Sequence, residues 1–184
     1  GGGRTHPLWR KTVEPCPKAQ EEPDTLVAVC GLYCGACSVY LATREEPARL
    51  EILAAKLGQS VEETRCLGCR SDLRSQHCRS CTFVECASAR GHFVCGECQD
   101  YPCAPFSQFQ AACPHRAEIP ADMAQILEAG PATWALGIPE RYACPACGTV
   151  NAAYDLACRR CGHVPGSPFA AEHEAPVRAF LERA

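Results

Sequence analysis

Residues 66 to 103 read CLGCRSDLRSQHCRSCTFVECASARGHFVCGECQDYPC and contain eight cysteines. The C-x2-C pair occurs three times in this stretch, among turn residues that follow neither a helical nor a strand period. One turn that carries such a pair presents two thiolates to one metal ion. We therefore expect metal–thiolate bonds, rather than an apolar core, to order this part of the chain.

The same pair recurs along the rest of the chain. The 184 residues include 17 cysteines but only 6 Phe, 2 Trp and 1 Met, against 14 Gly and 15 Pro. A chain with so few large apolar residues needs cross-links, either disulfides or metals. The odd number of cysteines and their close pairing favour metals over a secreted disulfide protein. The six C-x2-C pairs are Cys34/Cys37, Cys66/Cys69, Cys78/Cys81, Cys95/Cys98, Cys144/Cys147 and Cys158/Cys161.

Charge and motifs exclude several classes of function. The formal net charge is −3, and each zinc ion bound by four thiolates adds about two negative charges, which disfavours binding to a phosphate backbone. No apolar run reaches membrane-spanning length, and the first residues, GGGRTHPLWRK, contain no apolar run of signal-peptide length. We expect a cytoplasmic protein. G-x-S-x-G, phosphate-loop, H-E-x-x-H and dinucleotide motifs are absent, which favours a non-enzymatic role without deciding the question.

The predicted fold class is a small, irregular, metal-stabilised α+β fold with a core of cysteine knuckles, short helices and a C-terminal zinc ribbon. Lone Cys16, between two prolines, is interpreted as a bystander thiol. The predicted divisions are a tail or arm at 1–24, a cysteine-rich metal-binding domain at 25–116, a helical linker at 117–139, the zinc ribbon at 140–166 and a C-terminal helix at 167–184.

Apolar spacing predicts the inward faces of the helices. One helix starts at Pro47 and ends at Gly58, and another covers about residues 104–112. Side chains expected to be buried are Leu50, Leu53, Ala54, Leu57, Met123, Ile126, Leu127, Trp134, Leu136, Val177, Phe180 and Leu181.

The C-terminal pattern is the strongest metal signal. The two pairs, Cys144-Pro-Ala-Cys147 and Cys158-Arg-Arg-Cys161, are each followed by glycine and are separated by ten residues, as in a zinc ribbon whose two turns supply four thiolates to one ion. Glycine after each pair permits the left-handed backbone that the knuckle requires. Zinc with a structural role is favoured over iron held as in a rubredoxin.

Two further four-thiolate sets can be drawn from the eight cysteines of residues 66–103. The first is Cys66, Cys69, Cys78 and Cys81, and the second is Cys86, Cys95, Cys98 and Cys103. Interleaved ligation would assign the same pairs differently, and spacing alone leaves both schemes open. His77 and His92 lie near enough to replace a thiolate, but they are interpreted as surface or supporting residues because thiolates are abundant there.

Cys30, Cys34 and Cys37 form C-x3-C-x2-C, which can hold three corners of a [4Fe–4S] cluster. This is also the spacing of radical S-adenosylmethionine enzymes, but the alternating strands and helices of their barrel are missing from the sequence. A fourth ligand borrowed from Cys103 or Cys113 is the favoured arrangement for such a cluster.

The runs CGLYCGACSVYLATREE, CLGCRS, HCRSC and CGECQDYPC resemble the cysteine-rich family called domain of unknown function 3795, over about residues 27–110. The family is common in anaerobic bacteria and archaea and is regarded as metal-binding, without an established role. Cys16 and Cys113 lie outside its pattern. The ligands that the resemblance implies are Cys30, Cys34, Cys37, Cys66, Cys69, Cys78, Cys81, Cys86, Cys95, Cys98 and Cys103.

The sequence thus predicts a multi-site metal-binding protein that contains about three or four structural zinc ions and binds a protein partner. One alternative is an iron–sulfur protein, with a [4Fe–4S] cluster at Cys30, Cys34 and Cys37, acting in electron transfer or as an accessory subunit of an anaerobic enzyme. Another is nucleic-acid binding through the ribbon, for which Arg159, Arg160 and five arginines within residues 65–92 would be used. These arginines are instead expected to face solvent or to donate to thiolates.

Overall fold

The computed structural model describes residues 22–183, which fold into eleven short α-helices joined by turns. Cys16 and most of the predicted tail lie outside the described residues. In chain order the helices are α1 Ser38–Glu45, α2 Pro47–Leu57, α3 Val61–Thr64, α4 Gln76–Arg79, α5 Thr82–Arg90, α6 Ala104–Ala111, α7 Ile119–Ala129, α8 Pro131–Gly137, α9 Pro139–Tyr142, α10 Pro168–Glu172 and α11 Glu174–Leu181.

The predicted α+β fold class overestimates the amount of β structure. Extended pairing within residues 22–183 is limited to two isolated antiparallel bridges, Val27 with Tyr33 and Ala143 with Val150. The cysteine turns reverse the chain within a few residues, and no alternating run of strand length follows them. The fold is therefore mostly helical. Short 3₁₀ turns complete it at Pro23–Leu26, Cys34–Ala36, Cys95–Glu97 and Pro114–Arg116.

One apolar cluster joins the parts of the chain that the sequence divides. Helices α7–α9 pack between the cysteine-rich region and the C-terminal helices, so apolar side chains from all the predicted segments are buried together. The division into those segments stays a prediction. The buried members of the apolar cluster include Val27, Ala36, Phe106, Ile119, Met123, Ile126, Trp134, Tyr142, Ala153, Phe169 and Val177.

Helix α2 confirms most of its predicted pattern. It begins at Pro47 and ends before Gly58, whose φ of 64° is left-handed. Leu50 and Ala54 are buried, whereas Leu57 is 55% exposed because it is the last residue of the helix. The two buried positions, one turn apart, pack α2 against α1.

The predicted inward faces are only partly confirmed in the remaining helices. Trp134 and Ile138, four residues apart, are buried, whereas Leu136 is 71% exposed because it lies on the opposite side of α8. Leu127 and Leu181, also predicted to be inward, are exposed.

A buried ion pair fixes α9 to α7. Arg141 donates from Nη2 to Asp122 Oδ1 at 2.7 Å and from Nη1 to Oδ2 at 2.8 Å. The Asp122 side chain is 6% exposed and that of Arg141 is 25% exposed. This bidentate contact positions α9, which leads directly into the C-terminal cysteine pairs. None of the helices in residues 22–183 combines the length and the apolar character that crossing a membrane requires.

Candidate metal centres

The two C-terminal cysteine pairs form turns with the same hydrogen bonds. In the first, Cys144 N–H donates to the Thr149 carbonyl at 2.9 Å and Gly148 N–H donates to the Cys144 carbonyl at 2.8 Å. The second repeats these bonds, from Cys158 N–H to the His163 carbonyl at 2.8 Å and from Gly162 N–H to the Cys158 carbonyl at 2.9 Å. Such turns point both sulfurs of a pair to one side.

Glycine closes both turns, as the sequence predicts. Gly148 has a φ of 71° and Gly162 a φ of 74°, values in the left-handed region that other residues enter at a cost. The placement of the cysteines on these backbone turns therefore depends on the two glycine positions.

The four sulfurs of Cys144, Cys147, Cys158 and Cys161, here called the four-cysteine unit, lie within 4.8 Å of one another. Cys144 Sγ is 3.7 Å from Cys161 Sγ, and Cys147 Sγ is 3.7 Å from Cys158 Sγ. Four sulfurs at the usual Zn–S distance in a tetrahedron are about 3.8 Å apart. The residues therefore fit a four-coordinate ion, and the four-cysteine unit could hold a metal.

The four-cysteine unit has a buried side and an exposed side. Cys144 and Cys158, the first cysteine of each pair, are buried, whereas Cys147 and Cys161 are exposed. Burial opposes ionisation of Cys158, but the amide groups of Cys161 and Arg160 and the neighbouring thiols outweigh it and lower the pKa of Cys158 to about 6. These neighbours therefore favour the thiolate form of Cys158, the form that binds metal.

Two arginines fix the four-cysteine unit to the start of the cysteine-rich region. The Arg159 side chain, 11% exposed, donates to Glu46 and, at 2.5 Å, to Glu45 Oε2. Arg49 of α2 donates to both carboxylate oxygens of Asp155, at 2.6 and 3.1 Å. The expectation that Arg159 faces solvent or a thiolate is wrong, because the carboxylates at the end of α1 bind it.

Asn151, which sequence reasoning missed, holds the two turns together. The side chain is fully buried and donates to the carbonyls of Thr149 at 3.0 Å and Gly166 at 2.7 Å. Its Oδ1 accepts from Arg159 N–H at 2.9 Å. Nothing in the local pattern distinguishes this asparagine from a loop residue, since its partners are brought to it by the fold.

We expect Arg159→Ala to destabilise the metal-loaded protein by about 2 kcal/mol, because it leaves two carboxylates without their shared, partly buried partner. Arg160→Ala is the matched control: Arg160 is exposed, and its removal should change the free energy of unfolding by less than about 0.5 kcal/mol. Urea unfolding followed by circular dichroism measures both. Equal effects would show that the Arg159 contacts do not stabilise the docking.

In the cysteine-rich region the thiols meet in pairs. The Cys78 thiol donates to the Cys66 sulfur and lowers the pKa of Cys66 to about 5. The Cys34 thiol likewise lowers the pKa of Cys69 to about 6, and Cys69 Sγ also accepts from Val29 N–H at 3.4 Å. Among residues 22–183, the four-cysteine unit is the only place where three or more thiols lie within 4.8 Å of one another, so the thiols of this region meet at most in pairs.

The contacts between these thiols do not follow the two four-thiolate sets drawn from the sequence. Cys66 contacts Cys78, but Cys69 of the same predicted set contacts Cys34 instead. In the other set, Cys95 interacts electrostatically with Cys103, Cys86 and Cys98, and also with Cys81, which belongs to the first set. The sixteen cysteines of residues 22–183 are all free of disulfide bonds.

Three of the predicted ligands precede helices. Cys37, Cys81 and Cys103 are the N-cap residues of α1, α5 and α6. Burial nevertheless raises the pKa of Cys37, while the amide groups of Tyr40 and Val39 oppose this. The sequence places these cysteines directly before helical residues, so this part of the site follows from local structure.

Cys113, considered as a cluster ligand, lies against Tyr154. The Tyr154 hydroxyl is 2.5 Å from His115 Nδ1, and the Tyr154 ring stacks on Phe180 at 5.3 Å. Burial first, and then the charge of Arg116, lower the pKa of His115 to about 4. Cys113 thus joins a neutral hydrogen-bonded group beside the C-terminal helix.

The histidines near the thiols hold supporting positions. His77 is exposed, and His92 Nδ1 lies 3.8 Å from Glu97 Oε2. A separate histidine, missed in the sequence, lies between two glutamates: the ligand atoms of Glu118, Glu172 and His173 are within 4.8 Å of one another. The contact between His173 Nε2 and Glu118 Oε1, at 2.8 Å, accounts for two members of this group as an ion pair.

Comparison with known proteins gives a family for the cysteine-rich region. No curated protein and no solved structure matches the chain. The four-cysteine unit lies outside the residues that the family model matches. The resemblance predicted from the cysteine motifs is confirmed: the model of the family described as Protein of unknown function (DUF3795) matches residues 26–108.

Proposed function

We propose that this protein is a multi-site, thiolate-ligated zinc protein whose ions stabilise its fold, and that it acts as a non-enzymatic module that binds another protein. The observation that carries the proposal is the four-cysteine unit. Its two hydrogen-bonded turns bring the sulfur of Cys144 to 3.7 Å from that of Cys161, and the sulfur of Cys147 to 3.7 Å from that of Cys158. A four-thiolate site leaves no position for substrate, and sites of this kind are structural.

The iron–sulfur alternative rests on Cys30, Cys34 and Cys37, three thiols that would have to face one [4Fe–4S] cluster. Cys34 interacts with Cys69 and also with Cys37, and Cys37 interacts with Cys66. The four-cysteine unit, whose sulfurs fit a single tetrahedral ion, supports zinc more directly than these thiols support a cluster.

Exposed apolar side chains support protein binding. Ile52 and Leu57 of α2 are 59% and 55% exposed, and Val61 of the adjoining α3 is 37% exposed. Exposed apolar side chains of this size are available for contact with another protein. The same helix α2 is tied to the four-cysteine unit through Arg49 and Asp155, so metal binding would stabilise the helices that carry these side chains.

Two of the seven arginines considered for nucleic-acid binding, Arg70 and Arg159, are engaged within the protein. Arg159 is bound to Glu45 and Glu46, and Arg70 donates to the carbonyls of Val27 at 2.7 Å and Phe93 at 2.5 Å. Because these guanidinium groups are engaged within the protein, they do not form the basic face that phosphate binding needs.

Metal analysis of protein purified without oxygen tests the proposal. We expect about three or four zinc ions per chain and no visible absorption, since zinc thiolates are colourless. Several irons with acid-labile sulfide would contradict the zinc assignment and support the iron–sulfur alternative. Protein that is folded and free of metal would contradict both.

A further inference from the structure

We infer that Glu118, Glu172 and His173 form a metal site of a second kind, which binds one divalent ion through nitrogen and oxygen rather than sulfur. One imidazole nitrogen and two carboxylate oxygens, one atom from each residue, lie within 4.8 Å of one another. Within residues 22–183, this is the only such group of ligand atoms besides the four-cysteine unit. It contains no thiol, so the inference goes beyond the proposed thiolate-bound zinc.

Three helix ends bring these side chains together. Glu118 directly precedes α7, and its carbonyl accepts from Asp122 N–H at 2.9 Å in the first turn of that helix. Glu172 is the last residue of α10, and His173 stands between α10 and α11. An ion bound by all three would therefore connect α7 to the two C-terminal helices.

His173 is fixed by contacts of its backbone and of its ring. Its N–H donates to the Phe169 carbonyl at 3.0 Å, and its carbonyl accepts from Val177 N–H at 3.1 Å. The imidazole ring packs against the ring of Phe169, which is buried, with the two ring centroids 4.4 Å apart. The nitrogen is thus held in place by the fold itself, as a metal ligand needs to be.

The spacing of two of the ligand atoms fits an ion. Nε2 of His173 and Oε1 of Glu118 are 2.8 Å apart. Two ligand atoms at adjacent corners of an octahedron, each about 2.1 Å from the ion, are about 3.0 Å apart. An ion could therefore bind both atoms after they separate by only a few tenths of an ångström.

The third ligand is not explained by the ion pair between the other two. The carboxylate of Glu172 lies within 4.8 Å of both, yet it has no hydrogen-bond or ion-pair partner among residues 22–183. An ion pair with His173 neutralises at most one of the two carboxylates, whereas a divalent ion neutralises both. A bound cation therefore accounts for all three side chains.

The donor atoms indicate the kind of ion. Carboxylate oxygens suit magnesium, calcium and manganese, imidazole nitrogen suits the later first-row metals, and thiolates select the softer ions. One nitrogen with two oxygens thus favours a divalent first-row ion such as Mn²⁺ or Zn²⁺. Three protein ligands leave further positions to water, which can reach them because Glu172 is exposed.

Manganese binding by the zinc-loaded full chain tests the inference, because Mn²⁺ competes poorly with zinc for thiolates. The electron paramagnetic resonance signal of free Mn²⁺ is lost on binding, and we expect one bound ion per chain. Glu172→Gln should weaken this binding at least about tenfold, because it removes a charged ligand. Glu172 is exposed, so its replacement leaves the apolar core intact.

Glu174→Gln is the matched control. Glu174 is also an exposed glutamate, but it pairs with Arg178 at 2.6 Å, and its replacement should leave the Mn²⁺ affinity unchanged. Zinc analysis of the same proteins covers the case in which zinc fills the site, since Glu172→Gln would then lose one zinc ion. If Glu172→Gln matched the wild type in both Mn²⁺ binding and zinc content, the inference would be overturned and the thiolate-bound zinc would stand.

A spectroscopic measurement identifies the nitrogen ligand in the wild-type protein. Electron spin-echo envelope modulation of bound Mn²⁺ detects the nitrogen-14 nucleus of a coordinated imidazole. We expect this modulation in the wild type and its loss in His173→Gln. Bound Mn²⁺ that shows no nitrogen modulation would be held by carboxylates alone, which also overturns the inference.

Discussion

Replacement of Cys158 by serine is expected to remove one metal ion and to unfold the four-cysteine unit. Cys158 is buried, and its sulfur lies 3.7 Å from that of Cys147. The binding free energy of a structural zinc, on the order of 10 kcal/mol, is folding free energy, because the site does not exist in the unfolded chain. Metal analysis and a thermal melt by circular dichroism measure the loss.

The melt should shift for the whole chain, because Tyr142 and Ala153, on either side of the first turn, belong to the shared apolar core. Cys16→Ser is the control, since this cysteine lacks the pair spacing and should leave the ion count and the melt unchanged. A Cys158→Ser protein with the wild-type metal content and melting temperature would remove the basis for a metal at the four-cysteine unit.

Replacement of Asp122 by alanine is expected to destabilise the protein by about 3–5 kcal/mol, because it leaves the Arg141 guanidinium partly buried and without its partner. The lost contact is bidentate, with Arg141 nitrogens 2.7 and 2.8 Å from the two Asp122 carboxylate oxygens, and it joins α7 to α9. Urea unfolding of the metal-loaded protein gives the free energy. Metal content should stay unchanged, since Asp122 is not a ligand in any proposed site.

Asp100→Ala is the matched control for this prediction. Asp100 also pairs with an arginine, Arg90 at 3.0 Å, but the two side chains are 69% and 50% exposed. An exposed pair contributes at most about 1 kcal/mol, because solvent screens it. If both variants unfolded at the same urea concentration, burial would not be what makes the Asp122 contact strong.

The four-cysteine unit shows how far local pattern can predict a site. Its ligands, the two turns and the left-handed glycines all follow from residues next to one another in the sequence. Asn151 was missed and the contacts of Arg159 were predicted wrongly, because Gly166, Glu45 and Glu46 are brought to them only by the fold. The spacing of residues around a side chain in the sequence does not specify which distant residue that side chain contacts.

The helix faces show a similar limit. Pro47 and Gly58 predict the ends of α2 correctly, because a proline and a left-handed glycine act on the backbone directly. Leu136 is predicted inward on its apolar character alone, and it is 71% exposed. In the short α8, one turn of helix decides which side faces the core, and Trp134 occupies that side.

The sequence by itself determined the candidate ligands, the C-x2-C turns, the cysteines that precede helices and the family resemblance of the cysteine-rich region, because these depend on adjacent residues. Tertiary structure alone decided which thiols meet. Cys34 and Cys69 come together although they are distant in the chain, because the turn at Gly68 packs against Cys34. C-x2-C spacing is the same for every pair, so it cannot specify a partner, and only the packing of the helices and turns around the core does so.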